Sequence, residues 1–326
     1  MNAALVQSFD APPTCTTFAD PVPQDGEVLV TVTAAALHQI VRSIANGTHY
    51  MSKGELPFIP GVDGAGRLQA AVGQLPAGTR VYFGGARFPY GTLCEQTVIN
   101  PAMVVPLPDA IGDTLAAGIA NPAMSSWVAL DRGRFTPGES VLILGATGTA
   151  GQLAVQIAKS RGARHIIAAG RNPEALEKLK SLGANTVISL TQDNDALIAA
   201  LRSEFAANGL DIVLDYLWGP PTESVLAAIA QKGAIKSGSR VRYVQIGNLA
   251  GATIALGAHT LRSANLELLG SGFGSASLPD ILRAIAEFFT LAAKSPFDFT
   301  YKTVPLSDVT SAWNEKSDAT RIVFTP

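Results

Sequence analysis

Residues 141–159 read VLILGATGTAGQLAVQIAK. Four apolar residues run into a cluster of Gly, Ala and Thr, and a helical pattern starts at once. A buried strand, a tight turn and a helix in that order open a βαβ unit. Ala146-x-Gly148-x-x-Gly151 follows the dinucleotide fingerprint, with Ala in the first glycine position. Ala146 permits the tight turn, Gly148 lets the backbone approach a pyrophosphate, and Gly151 lets the helix pack on the sheet. Thr147, Thr149 and Ala150 fall at the new helix N-terminus, where free N–H groups and the dipole favour phosphate and the threonine hydroxyls add donors.

The residues beyond the turn set its context. Apolar runs VLIL (141–144), HIIAA (165–169), TVIS (186–189), DIVLD (211–215), RYVQI (242–246) and LELLGS (266–271) alternate with stretches of helical period. That rhythm predicts a doubly wound parallel sheet with both faces covered. An NAD site carries Asp or Glu at the end of the second strand; Gly170 and Arg171 stand there instead. A guanidinium pairs with a 2′-phosphate in forked geometry, so NADPH is the expected dinucleotide. Asn172 is expected to cap the next helix, with Pro173 at its first position, so the adenosine phosphate is expected to meet Gly170, Arg171 and Asn172 at the start of that helix. Other strand ends point at the same crevice, which makes Leu217, Gly247, Asn248 and Phe273 candidate cofactor contacts. Asp215, at one such end, reads either as a base or as a satisfied structural carboxylate.

Residues 1–112 are β-rich by pattern, with strands expected in 26–37, 64–72, 78–85 and 93–99 and a proline-bearing connection over 104–111. The tail, from 295, predicts a strand, a helix capped by Ser307 and a last strand RIVF able to return to the first domain. The 326-residue chain is thus divided as 1–112 plus 295–326 and 113–294. A near balance of 24 basic and 26 acidic residues, with no basic run, argues against nucleic acid. Two distant cysteines fit a reducing compartment, and neither a signal peptide nor a run of about 18 apolar residues is seen. A cytoplasmic protein without a membrane span is expected. No Gly-x-Ser-x-Gly elbow occurs, which disfavours a hydrolase.

The segments LHQIVRSIANGTHY (37–50), LPFIPGVDGAGRL (56–68), NPAMSSWVAL (121–130), the glycine turn, AAGRNPEALEKLKSLGA and the closing VPLSDVTSAWN…RIVFTP together resemble the medium-chain dehydrogenase/reductases, in their zinc-independent quinone-oxidoreductase-like branch. The resemblance implies an α/β chain: a GroES-like catalytic domain completed by the C-terminal segment, and an inserted Rossmann domain. It also implies a homodimer joined by edge strands, for which LELLGSGFG is the candidate. The zinc branch draws a histidine from the motif that reads Gly61-Val62-Asp63-Gly64 here, and cysteines near Leu37–Gln39 and Gly118–Asn121. None of the three is present, nor is a four-cysteine lobe, so no metal is expected.

Without a metal, the easier hydride acceptors are quinones and α,β-unsaturated carbonyls, whose added electron density spreads onto an oxygen that hydrogen bonds can hold. By resemblance, segment 37–50 borders the cleft. Tyr50 is a candidate donor because a phenol donates while neutral, and His38 is another because imidazole titrates near neutrality. Relatives carry Asn near His38 and Thr where Met124 stands, so Asn121 or Ser125 is expected to take over a contact to the nicotinamide. Rival readings are an enoyl-thioester reductase, for which no basic rim is visible, and a non-catalytic NADPH-binding sensor.

Overall fold

The structure is a computed structural model that describes residues 1–236, 238–315 and 319–326. It divides into two compact units, 1–121 with 285–326, and 122–284.

The first unit opens with an antiparallel pair, β1 (Asn2–Leu5) and β2 (Thr14–Thr17). The long strand β3 (Val28–Ala36) buries alternate residues, as VLVTVTAAA dictates for a strand with one face on the core. Helix α1 (Gln39–Ala45) follows, then β4 (Asp63–Leu68), β5 (Arg80–Gly84), β6 (Gln96–Ile99) and β7 (Val104–Pro106). The segment expected as a connection over 104–111 therefore begins with a strand. It pairs with β5 at the sheet edge, where a proline breaks no ladder. Helix α2 (Asp113–Arg132) runs across the division between the units.

The second unit is the alternating one. It contains β8 (Ser140–Leu144), α3 (Thr149–Ser160), β9 (His165–Gly170), α4 (Pro173–Leu182), β10 (Thr186–Ser189), α5 (Asn194–Asn208), β11 (Ile212–Asp215) and α6 (Gly219–Ala230). It continues with β12 (Val241–Gln245), α7 (Ala258–Ser263), β13 (Leu266–Gly270) and α8 (Leu278–Lys294), the last again crossing the division. Its six strands pair in parallel in the order β10-β9-β8-β11-β12-β13. The order reverses direction between β8 and β11, so a crevice lies beyond the carboxyl ends of those two strands. Every residue of β8 is buried, as expected for a strand covered on both faces. Leu142, Ile167, Val213, Phe205 and Val225 belong to the core that covers it.

The chain then rejoins the first sheet through β14 (Tyr301–Pro305), the short α9 (Val309–Ala312) and β15 (Arg321–Thr325). β15 pairs with β14 in parallel and with β3 antiparallel, placing Phe324 in the core with Phe83, Leu68 and Val30. Ser307 does not cap the tail helix. It lies inside a 3₁₀ turn at Leu306–Asp308 and donates to Asp308 Oδ1 at 3.1 Å, while α9 starts one turn later. The first unit is a β domain completed by the C-terminal strands, and the second a doubly wound parallel sheet.

Candidate functional site

The glycine turn of the second unit is built almost wholly from backbone. Gly145 leaves β8 at φ +83, a left-handed conformation that glycine adopts without strain. A Cβ on Gly151 would lie 2.3 Å from the Gly145 carbonyl oxygen, so only glycine lets α3 close on the turn. Gly148 is different: a Cβ there would meet nothing nearer than that same oxygen, at 3.6 Å. Its bare backbone faces open space, which leaves room for a ligand. Helix geometry leaves the N–H groups of Thr149, Ala150 and Gly151 without helical acceptors, the first helical bond being Gln152 N–H to the Gly148 carbonyl. The turn is braced from behind by the Gln152 amide, which donates to the Thr147 carbonyl at 3.1 Å. Ala146 is buried and donates its N–H to Ala169.

Gly170 has a task of its own. A Cβ there would come within 2.4 Å of Thr147 Cγ2, so its missing side chain makes room for Thr147. Arg171 follows, exposed, and none of the described residues pairs with it. Asn172 caps α4 as its sequence position suggests, accepting from Ala175 N–H at 3.0 Å, with Pro173 next.

Two further strand ends close on the turn. Leu217 packs on Gly145, where an added Cβ would touch its side chain at 3.1 Å. The segments after β11 and β12 are zipped by backbone bonds from Ile246 and Gly247 to Asp215 and from Ala250 to Leu217. Gly247 has no room for a side chain, the Tyr216 carbonyl being 2.7 Å from its would-be Cβ. Asn248 is exposed in the same loop, and Phe273, beyond β13, is 42% exposed. Asp215 is a satisfied structural carboxylate. Oδ1 accepts from Leu217 and Trp218 N–H at 2.8 and 3.0 Å, and Oδ2 from the Thr222 and Tyr243 hydroxyls at 2.5 and 2.9 Å. In the same unit, the Ser125 hydroxyl is spent on the Pro122 carbonyl at 2.7 Å. Its oxygen therefore offers lone pairs rather than a proton. Asn121, partly buried, ends the first segment of the other unit.

The first unit holds a polar cluster in its core. His38, just after β3, is 2% exposed. Its Nε2 meets Asp63 Oδ1 at 3.1 Å, and the Tyr82 hydroxyl donates to Asp63 Oδ2 at 2.7 Å. Among the described residues, Nδ1 of His38 has no hydrogen-bond partner. Burial pushes the His38 pKa down, Asp63 pulls it back up, Arg321 lowers it, and the nearby Ala117 carbonyl favours the charged ring without reaching bonding geometry. Burial, and then the Asp63 charge, hold the Tyr82 phenol well above its ordinary range. Arg321, from β15, donates to the Leu37 carbonyl at 2.9 Å, and burial brings its pKa down to about 10. Tyr50 sits quite differently, 75% exposed and packed against His49 with ring centroids 4.2 Å apart and the planes tilted by 32°. No hydrogen bond joins it to His38 among the described residues. Arg42 faces the tail, donating to the Trp313 and Glu315 carbonyls.

Two family models match this architecture. "Alcohol dehydrogenase GroES-like domain" matches residues 24–109 and "Zinc-binding dehydrogenase" residues 150–288. A probable NADPH-dependent quinone reductase of Emericella nidulans is 29% identical over the whole of both chains. The chain belongs to the medium-chain dehydrogenase/reductase superfamily, in its quinone-reductase-like branch. Like that branch, it is an oxidoreductase. An Arabidopsis thaliana NADPH-dependent alkenal/one oxidoreductase is 31% identical over 52% of this chain, which spans about half that relative's length (47%). A Thermus thermophilus quinone oxidoreductase, solved also with NADPH, shares the fold at TM-score 0.77 and 24% identity over the full length of both.

Within this superfamily, Asp63 and Tyr82 are the residues that sequence reasoning missed. They lie on β4 and β5, 25 and 44 positions from His38. No local spacing announces that the three side chains meet.

Proposed function

We propose that the protein is an NADPH-dependent reductase of quinones or α,β-unsaturated carbonyls that works without a metal. The cradle at Gly148, open where a Cβ would otherwise stand, carries this reading. The pyrophosphate fits there against the N–H groups of Thr149–Gly151. Arg171, exposed and unpaired among the described residues, is placed to meet a 2′-phosphate at the end of β9. Leu217, Gly247, Asn248 and Phe273 flank the same crevice, and Ser125 and Asn121 are kept as nicotinamide contacts. NADPH, when bound, supplies the hydride. The chain's own part is to hold the acceptor, exclude water and offer its oxygen a hydrogen bond, from Tyr50 or His38.

A zinc ion does not fit the donors present. Among the described residues no three His, Cys, Asp or Glu side chains stand together as a metal needs. Burial pushes the Cys94 thiol up to about 12, away from the thiolate a ligand must be. The proposal extends to a cytoplasmic homodimer paired along β13, which ends the parallel sheet and leaves one backbone edge open.

An acceptor panel run with NADPH and NADH, before and after chelation, tests the reading. NADPH is expected to be preferred and the chelator to have no effect. Arg171→Asp should cut the NADPH preference roughly tenfold to a hundredfold through lost charge-assisted bonds. Equal use of NADH by the wild type, or loss of activity on chelation, would count against it.

A further inference from the structure

The end of β9 is where a Rossmann-type site chooses between its two dinucleotides, and in this chain that place is already filled. In an NAD site the residue that closes the second strand carries a carboxylate, which reaches the ribose hydroxyls. Here the last residue of β9 is Gly170, and it is buried. A Cβ built on it would overlap Thr147 Cγ2 and lie 2.9 Å from Thr147 Oγ1 and 3.2 Å from Thr147 Cβ. Both branches of the threonine face Gly170, so a change of rotamer takes one away and leaves the other. Both backbones are pinned. Gly145 and Ala146 donate their N–H groups to the Ala169 carbonyl at 3.0 and 2.9 Å, which ties the glycine turn to β9. On its other side β9 is held by β10, where Ser189 is the partner of Gly170 and Leu190 N–H donates to the Gly170 carbonyl at 2.8 Å. An acidic side chain at position 170 has no room while Thr147 is there.

We infer that Thr147 is a specificity-determining residue of the cofactor site. Its side chain occupies the place from which a ribose-binding carboxylate would reach, so Thr147 and Gly170 set the choice of dinucleotide as a unit, with Arg171 beside them. This rests on the NADPH reading above and deepens it. Arg171 supplies the charge that favours a 2′-phosphate, and Thr147 bars the charge that would repel it. Selectivity then comes from exclusion as well as attraction. The single change toward NADH recognition, Gly170→Asp, fails for want of space and succeeds once Thr147 is cut back.

The test is a set of variants read in two ways that need no turnover: the thermal midpoint without dinucleotide, and NADPH and NADH affinity by fluorescence titration. Gly170→Asp alone should lower the midpoint by about 5 °C, the scale of overpacking in a chain of this size, and bind NADH no better than the wild type. Adding Thr147→Gly should restore most of that loss. The same double variant should bind NADH about tenfold more tightly than the wild type, through hydrogen bonds to the new carboxylate, and NADPH about tenfold less tightly. Thr147→Val keeps the shape and removes the hydroxyl, so adding it to Gly170→Asp should restore neither the midpoint nor NADH binding. Tight NADH binding by Gly170→Asp with Thr147 in place, or equal rescue by valine and glycine, overturns the proposal. If Gly170→Asp alone does not fold, the double variants decide: rescue of folding by Thr147→Gly and not by Thr147→Val supports the proposal, and rescue by neither overturns it. Wild-type protein that binds neither dinucleotide removes the NADPH reading instead, and the midpoints still decide whether Thr147 and Gly170 are coupled.

Discussion

Each unit buries an aspartate that accepts from a tyrosine hydroxyl, and the two are not alike. Asp215 in the second unit receives four donors, two from backbone and two from hydroxyls, and none of them has anything further to give. It closes the turn into α6, where Trp218 takes φ +57 and Gly219 φ +63. Asp63 in the first unit also receives a tyrosine, but its other partner is an imidazole whose far nitrogen is left open. Burial and hydrogen bonding to a phenol are common to both. The unspent valence two bonds away separates the two.

Removing each carboxylate should break the comparison most sharply. Asp215→Ala strands two backbone N–H groups and the Thr222 and Tyr243 hydroxyls, for an expected loss of about 3–5 kcal/mol. Asp63→Ala strands one hydroxyl and one ring N–H, for about 2–3 kcal/mol. Urea unfolding measures both. Equal stability losses would mean that the count of donors does not set the difference.

Acidification gives a smaller effect that sharpens the same contrast. The His38 pKa is lowered in the fold, and burial lowers that of His49 as well. Below about pH 6.5 the unfolded chain therefore binds more protons than the native one. The stability these rings confer is complete above that value and is lost as pH falls through their native pKa values. Thermal midpoints at pH 7.5, 6 and 5 should decline in the wild type and decline less in His38→Gln. An identical decline in both would show that His38 is not the group responsible.

The two regions also differ in how far the sequence reveals them. The glycine turn spans seven consecutive residues whose conformations are dictated locally, so strand, turn, helix and cap can be read in a line. The central parallel strands announce themselves because both faces are covered and the runs are mainly apolar, as in VLIL of β8. The cluster at His38 draws on residues 38, 63, 82 and 321, which only the folded sheet brings together. Tyr50, near His38 in sequence, lies exposed on its own turn, while Tyr82, far away in sequence, holds Asp63 in place. Even β7 is hidden by its prolines, because an edge strand tolerates what a central one does not. The tail helix misleads for a local reason: a 3₁₀ turn takes up Ser307 before the α-helix begins.

Asn172→Ala is expected to have the smallest effect, and it separates two roles that the sequence runs together at the end of β9. The Asn172 side chain satisfies one of the first N–H groups of α4 at 3.0 Å. Losing such a cap costs about 1 kcal/mol. Arg171, one residue earlier, makes no such bond, so its replacement should leave the thermal midpoint nearly unchanged and alter the choice between NADPH and NADH. Asn172→Ala should do the reverse, lowering the midpoint with the cofactor ratio held. If the cap variant also lost selectivity, the helix terminus itself, and not the guanidinium, would be the group that reads the 2′-phosphate. The charge argument would then pass from a side chain to the N–H groups of Glu174 and Ala175.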